Sequence, residues 1–116
     1  MATRANVLRD PKFTEAAVNK VNYLKTEELG SDTYYFRPGQ VLAYHRHKSD
    51  QAFFILKGVG KFYLDGGTEE VFEVGEGDMV LAPRGVWHQL ANTGTSDLVA
   101  VQVTYLPTDV EARNQG

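Results

Sequence analysis

Turn-forming residues recur at short intervals from about residue 18 to residue 106 of this 116-residue chain. They separate short segments rich in Val, Tyr, Phe, Ile and Leu, roughly every eight to twelve residues. The turns are R-P-G at 37–39, K-G-V-G at 57–60, D-G-G at 65–67, G-E-G-D at 75–78, P-R-G at 83–85 and N-T-G-T at 92–95. Because this pattern is typical of sandwiches and barrels, we expect an all-β fold of roughly eight to ten antiparallel strands.

The two ends of the chain differ from this middle part, and we divide the chain accordingly. Residues 1–17 are predicted to be an N-terminal arm, in which Thr14 could cap one or two turns of helix before E-A-A-V-N-K. Residues 18–107 are predicted to be the barrel domain. Residues 108–116 are polar, and we expect a flexible C-terminal tail.

Composition excludes several functional classes. The 12 basic and 15 acidic residues give a net charge of −3, and no basic block indicates a nucleic-acid partner. Apolar runs reach only about five residues against the ~20 that span a bilayer, so we expect no membrane segment. No apolar leader is seen, which favours a cytoplasmic location. With no cysteine in the chain, any metal must be held by nitrogen and oxygen.

Three histidines and a glutamine are the candidate metal ligands. His45 and His47 are two residues apart on one predicted strand, so both side chains project from the same face, with Cα atoms ~6.5 Å apart. Gln51 begins the next strand, and His88 follows the P-R-G turn. A single H-x-H pair is more often an ordinary surface or core feature than a metal site. The four together indicate ligands brought to one site from three strands.

These residues belong to two longer spacing patterns. The first is Gly39, His45, His47, Gln51 and Gly58, and the second is Gly77, Pro83, Gly85, His88 and Asn92. The pair of patterns resembles the two motifs of the cupin superfamily, in small single-domain members. Gln51 stands where the family motif has glutamate, whereas the second motif has no departure.

The resemblance implies a double-stranded β-helix barrel of jelly-roll type, preceded here by the short N-terminal arm or helix. It also implies a divalent transition metal held by His45, His47, Gln51 and His88, and these ligands suit Zn, Ni, Fe, Mn and Cu about equally. An amide in place of a carboxylate leaves the ion with its full +2 charge, which makes it a stronger Lewis acid. Gln51 cannot act as a general base.

Residues that could act on a substrate are predicted from strand parity. Tyr35 and Arg37 share a face on the strand before Gly39, and Lys61 and Tyr63 share a face on the strand after Gly58. Each could face the cavity and bind a carboxylate or transfer a proton. The alternative for each is a solvated charge or a packed ring. Gln102 and Thr104, which interrupt an apolar strand, are weaker candidates for the pocket wall.

Three functions remain open from the sequence. The first is a metalloenzyme that uses the ion as a Lewis acid on a small keto or sugar-acid molecule, in an isomerisation or ring opening. The second is a metal-dependent dioxygenase of a small chelating substrate. The third is a non-catalytic cupin that binds or senses a small molecule. The resemblance also implies a homodimer, with V-N-K-V-N-Y-L at 18–24 as the pairing strand.

Overall fold

The structure is a computed structural model that describes residues 2–113, and in that range it contains ten β-strands and no helix. The strands are β1 (Asn19–Lys25), β2 (Leu29–Phe36), β3 (Val41–Arg46), β4 (Gln51–Lys57), β5 (Val59–Asp65), β6 (Glu69–Gly75), β7 (Met79–Ala82), β8 (Trp87–Ala91), β9 (Leu98–Tyr105) and β10 (Glu111–Ala112). Nothing between residues 2 and 113 forms a helix that could cross a membrane.

The strands form two five-stranded antiparallel sheets. The first sheet has the order β1-β2-β9-β4-β7, and the second has the order β10-β3-β8-β5-β6. Neighbours in a sheet are therefore mostly distant in sequence, as in a jelly roll, whose two sheets face each other. The predicted all-β, double-stranded β-helix fold is confirmed.

Alternating side chains on the strands form the core between the sheets. In β4, Phe53 and Ile55 are fully buried, and in β5 Phe62 is fully buried. The rings of Phe53 and Phe62 meet edge to face across the two sheets, with centroids 5.1 Å apart. Because each buried side chain of this size contributes ~1.5–3 kcal/mol, this period-two pattern determines which face of each strand points inward.

Of the two predicted forms of the N-terminal segment, an arm or a short helix, the structure contains no helix in residues 2–17. The Thr14 hydroxyl donates a hydrogen bond to the Ala17 carbonyl (2.6 Å), but the chain there makes only bends. The arm instead lies on the outer face of the first sheet, where Phe13 packs edge-on against Tyr35 with centroids 5.4 Å apart. One or two turns of isolated helix are unstable in water, so these tertiary contacts decide the conformation.

The C-terminal residues also differ from the expected flexible tail. Residues Glu111 and Ala112 form β10, which pairs with Arg46 and His45 of β3. The Arg113 guanidinium donates to Asp65 (2.8 Å). Polar composition alone does not reveal this order, because it arises from pairing with a strand distant in sequence. Residues 114–116 lie outside the described residues, and the limits of the three predicted segments stay a prediction.

Two glycines at strand corners have similar backbone angles and very different surroundings. Gly39 has φ of 85° and Gly58 has φ of 86°, a region that other residues rarely adopt. A Cβ on Gly39 would meet no atom within 4 Å, whereas a Cβ on Gly58 would overlap the backbone carbonyl oxygen of Asp97. Gly58 therefore allows the close approach of the chain that leads into β9.

This contrast predicts different costs for the same substitution. Gly39→Ala should lower the free energy of unfolding by about 1–2 kcal/mol, the cost of a positive φ in a residue with a Cβ. Gly58→Ala should cost at least about 2 kcal/mol more, because the backbone of Asp97 must also move. Urea unfolding of both variants measures the difference, and equal midpoints would contradict the packing described for Gly58.

Candidate metal centre

Three histidines meet inside the barrel at the second sheet. His45 in β3 pairs directly with His88 in β8, and His47 follows the end of β3. The ring centroids of His45 and His88 lie 4.2 Å apart, and His47 lies 5.1 Å from His45 and 5.8 Å from His88. One ring nitrogen from each histidine falls within 4.8 Å of the others, so these three side chains could hold one ion.

Hydrogen bonds to backbone carbonyls orient all three rings. Nδ1 of His45 bonds to the Ala43 carbonyl at 2.8 Å, Nδ1 of His47 to the Asp109 carbonyl at 2.5 Å, and Nδ1 of His88 to the Val86 carbonyl at 3.3 Å. A carbonyl only accepts, so Nδ1 must carry the proton and Nε2 presents a lone pair. Nε2 of His47 and of His88 are buried and have no partner among residues 2–113.

Burial keeps the rings neutral. Removal from water lowers the pKa of His45, His47 and His88, and it lowers that of His88 most, to about 3, with the neighbouring His45 adding to the effect. Weaker effects come from two residues on the first sheet. Lys20 lowers the pKa of His45 and His47, whereas Asp32 raises that of His47. Neutral imidazoles at pH 7 are the form that binds metal.

Gln51 supplies the fourth predicted donor from the first sheet. Its side chain is only 2% exposed, its Nε2 donates to the Thr104 hydroxyl (3.2 Å), and its Oε1 is buried without a partner in the described chain. An orphaned buried carbonyl oxygen destabilises a fold by about 1–3 kcal/mol unless something binds it. Two orphaned imidazole nitrogens and one orphaned amide oxygen fit a divalent transition metal.

Comparison with known proteins now gives the family. Residues 33–104 match the Cupin domain family, which is more than half of the chain. The chain belongs to the cupins. This cupin is 31% identical over 70 residues to a gentisate 1,2-dioxygenase of Ralstonia, a match that covers 60% of this chain and 19% of that enzyme. The matched part is thus a small fraction of the length of that relative.

Solved structures show the same fold at low identity. A conserved protein with a double-stranded β-helix domain from Klebsiella pneumoniae superposes with a TM-score of 0.84 at 19% identity, over 98% of this cupin and 100% of that chain. An oxalate oxidase in complex with the substrate analogue glycolate superposes with a TM-score of 0.79 at 18% identity, over 94% and 62%. These likenesses establish the fold and leave the reaction open.

The residues predicted to act on substrate do not lie at the histidines. The Tyr35 hydroxyl, on the outer face of β2, bonds to the Tyr23 hydroxyl and to the Val7 carbonyl of the arm, each at 2.7 Å. Arg37 forms ion pairs with Glu15 (3.1 Å) and Asp97 (2.8 Å).

Tyr63 is also directed away from the histidines. It lies on the outer face of the second sheet, where its ring packs edge-on against Tyr44 with centroids 6.1 Å apart. The structure therefore does not bring Tyr35, Arg37 or Tyr63 to the metal centre.

Sequence reasoning missed Tyr34, which lies on the inner face of β2. Its ring stacks against Phe53 with centroids 6.4 Å apart, and the side chain is 4% exposed. A shift of one residue moves a strand's side chains to the opposite face, and Y-Y at 34–35 offers a ring for either face. The signal that distinguishes them is Phe36, because two large aromatics at 34 and 36 match the core-facing alternation.

A cavity of about 420 Å³ opens beside the metal centre. Its polar lining includes His45, His47, Tyr34 and Lys20. Its apolar wall includes Val18, Leu42 and Val110. A volume of this size accommodates a small organic molecule. The weaker sequence candidates also face inward, since Gln102 and Thr104 are buried and Thr104 contacts Gln51.

The segment 109–113, here called the C-terminal strap, lies across the edge of the metal centre. Its Asp109 carbonyl accepts the hydrogen bond from His47, and the Asp109 carboxylate accepts one from the Lys48 amide (3.1 Å). Glu111 forms a two-pronged ion pair with Arg46, with both distances 3.1 Å. The strap thus sets the orientation of one predicted metal ligand.

The strap contacts predict a change in metal affinity on truncation. A chain that ends after Thr108 leaves Nδ1 of His47 without its carbonyl, and loss of such an outer partner lowers metal affinity about 10-fold to 100-fold. Competition with a chromogenic chelator would measure this for Zn²⁺. A chain that ends after Arg113 keeps the strap and should bind Zn²⁺ as tightly as the full chain. Equal Zn²⁺ affinities of the two truncated chains would contradict a role for Asp109.

Proposed function

We propose that this cupin is a metal-dependent enzyme that acts on a small oxygen-bearing molecule, in an isomerisation or ring opening. The observation that carries this proposal is the convergence of three neutral imidazoles beside a cavity of about 420 Å³, with the orphaned Gln51 oxygen on the facing sheet. His45, His47, His88 and Gln51 would hold the ion. The ion would supply polarisation of a substrate oxygen.

The neutral donor set supports this class of reaction. Three imidazoles and an amide do not offset the charge of a divalent ion, so its full +2 charge would act on the substrate. Burial of His88 and Gln51, each 2% exposed, keeps water away from that side and strengthens the electrostatic attraction. Gln51 has no titratable group, so protons must be transferred by another residue.

The first test is the metal content of the protein, purified without a polyhistidine tag. We expect about one divalent ion per chain, because the four donors form a single site. His88→Ala should lose the ion, whereas Gln89→Ala, on the opposite face of the same strand, should retain it. Elemental analysis by mass spectrometry measures all three samples. Absence of an ion from the parent protein, even after incubation with divalent metals, would overturn the proposal.

A second candidate function is a metal-dependent dioxygenase. It is supported by the 31% identity to gentisate 1,2-dioxygenase over 60% of this chain. The same donors suit iron, and redox-active iron would favour this reaction over isomerisation. Oxygen-electrode measurements on iron-loaded protein with gentisate as the probe separate the two. Oxygen uptake that His88→Ala abolishes would support the dioxygenase. If iron-loaded protein takes up no oxygen and the purified protein contains zinc, the isomerase is supported.

We also propose that the protein forms a homodimer through β1. This strand pairs only with β2 in the described part of the chain, so its other edge is available to a second copy. Light scattering after size-exclusion chromatography would report the mass in solution. A mass of one chain at micromolar concentration would contradict the dimer.

A further inference from the structure

The inner face of β1 and β2 carries polar side chains that the metal centre does not use. Lys20 lies directly opposite Tyr34 in the strand pairing, and Asn22 lies directly opposite Asp32. Lys20 and Tyr34 line the same cavity as His45 and His47. The first sheet therefore presents a cation, a phenol and a carboxylate on the barrel side that faces the histidines.

These groups retain hydrogen-bonding capacity within residues 2–113. The Lys20 ammonium is 3.9 Å from the Asp32 carboxylate, too far for a hydrogen bond, and its side chain is 59% exposed. The Tyr34 hydroxyl has no hydrogen-bond partner in this range, and burial raises its pKa, so it remains a donor. Asp32 is 15% exposed and accepts one hydrogen bond, from Asn22 (3.1 Å).

A buried amide beside Asp32 points independently to a ligand. Gln102 in β9 pairs directly with Asp32 in β2, so both side chains lie on the inner face. Gln102 is 1% exposed, and its Nε2 is buried with no partner in the described residues. A buried amide N–H without a hydrogen-bond acceptor destabilises the fold, so it requires an acceptor, either water or an oxygen of a ligand.

We propose that this wall recognises a small hydroxy acid, with the carboxylate bound by Lys20 and Tyr34 and the hydroxyl bound between Asp32 and Gln102. A hydroxyl both donates and accepts, and the two neighbouring residues offer the complementary pair: Asp32 accepts and Gln102 donates. Lys20 and Tyr34 line the cavity, where the carbon skeleton would lie against the apolar wall, and Asp32 and Gln102 lie next to it on the same inner face of the sheet. This assignment rests on the proposed function, because the acid would bind beside the metal centre.

The charges in and next to the cavity favour an anion. Lys20 and Asp32 offset each other, and the histidines and Gln51 are neutral, so the net charge of the loaded site would be that of the divalent ion. A monoanion is attracted to such a site, and a cation is repelled. The ammonium–phenol pair then selects where the carboxylate lies.

The test uses three probes of similar skeleton on the zinc-loaded protein, with binding measured by isothermal titration calorimetry. Mandelate carries both groups, phenylacetate lacks the hydroxyl, and 1-phenylethane-1,2-diol lacks the carboxylate. Mandelate should bind tightest. Phenylacetate should bind about 10-fold more weakly, because Asp32 and Gln102 lose their shared partner, and the diol about 100-fold more weakly. Lactate serves as a smaller hydroxy acid.

Matched variants assign the groups. Lys20→Met should weaken mandelate and phenylacetate alike by about 10-fold or more, whereas Lys61→Met, on the outer face of β5, should change neither. Asp32→Asn should reduce the preference for mandelate over phenylacetate. Zinc content is measured in each sample, because none of these three residues is a predicted metal ligand and each variant should keep its ion.

The possible results separate this inference from the proposed function. A protein that binds no zinc overturns the proposed function. A protein that binds zinc but neither mandelate nor lactate overturns the present inference and leaves the metal centre intact. The same conclusion follows if the three probes bind equally, or if Lys20→Met binds mandelate as tightly as the parent protein.

Discussion

The rest of the structure depends on the aromatic contact between the two sheets. Phe53 of the first sheet meets Phe62 of the second at 5.1 Å, and both rings also lie against His88, at 5.5 Å and 6.3 Å. The same burial that holds the sheets together therefore desolvates the imidazole. One packing arrangement both closes the barrel and keeps a predicted metal ligand neutral.

Backbone geometry then positions the donors more firmly than side-chain contacts alone could. Each histidine is oriented by a backbone carbonyl, which comes from β3 for His45, from the strap for His47 and from the turn before β8 for His88. The loop before β8 is tied to the same region, because the Gly85 amide donates to the His47 carbonyl (2.8 Å). Such outer contacts fix both the tautomer and the direction of the lone pair, which a metal requires before it binds.

The convergence of the three histidines could be predicted from sequence for two reasons. A two-residue interval on a strand places His45 and His47 on one face whatever the partner strands are. The resemblance to the two cupin motifs added Gln51 and His88, and the binding of an ion by these four residues stays a prediction. The polar side chains of the first sheet that face the histidines could not be predicted in this way. Lys20, Asp32 and Gln102 come from three strands whose neighbours are set by jelly-roll topology, and the choice of Tyr35 over Tyr34 was an error of one residue in parity. The packing of the N-terminal arm against β2 and the strand pairing of the strap could not be predicted, because tertiary contacts, and not local propensity, order them.

The hydrogen bond between His47 and the Asp109 carbonyl has a thermodynamic consequence beyond positioning a ring. If an ordered strap strengthens metal binding, then by linkage a bound ion must strengthen strap ordering by the same factor. The stability of the β10 pairing would then depend on whether the site inside the barrel holds an ion. Amide protons of Glu111 and Ala112 would exchange with solvent more slowly in the loaded protein, so the C-terminal end of the described chain would register the state of the centre.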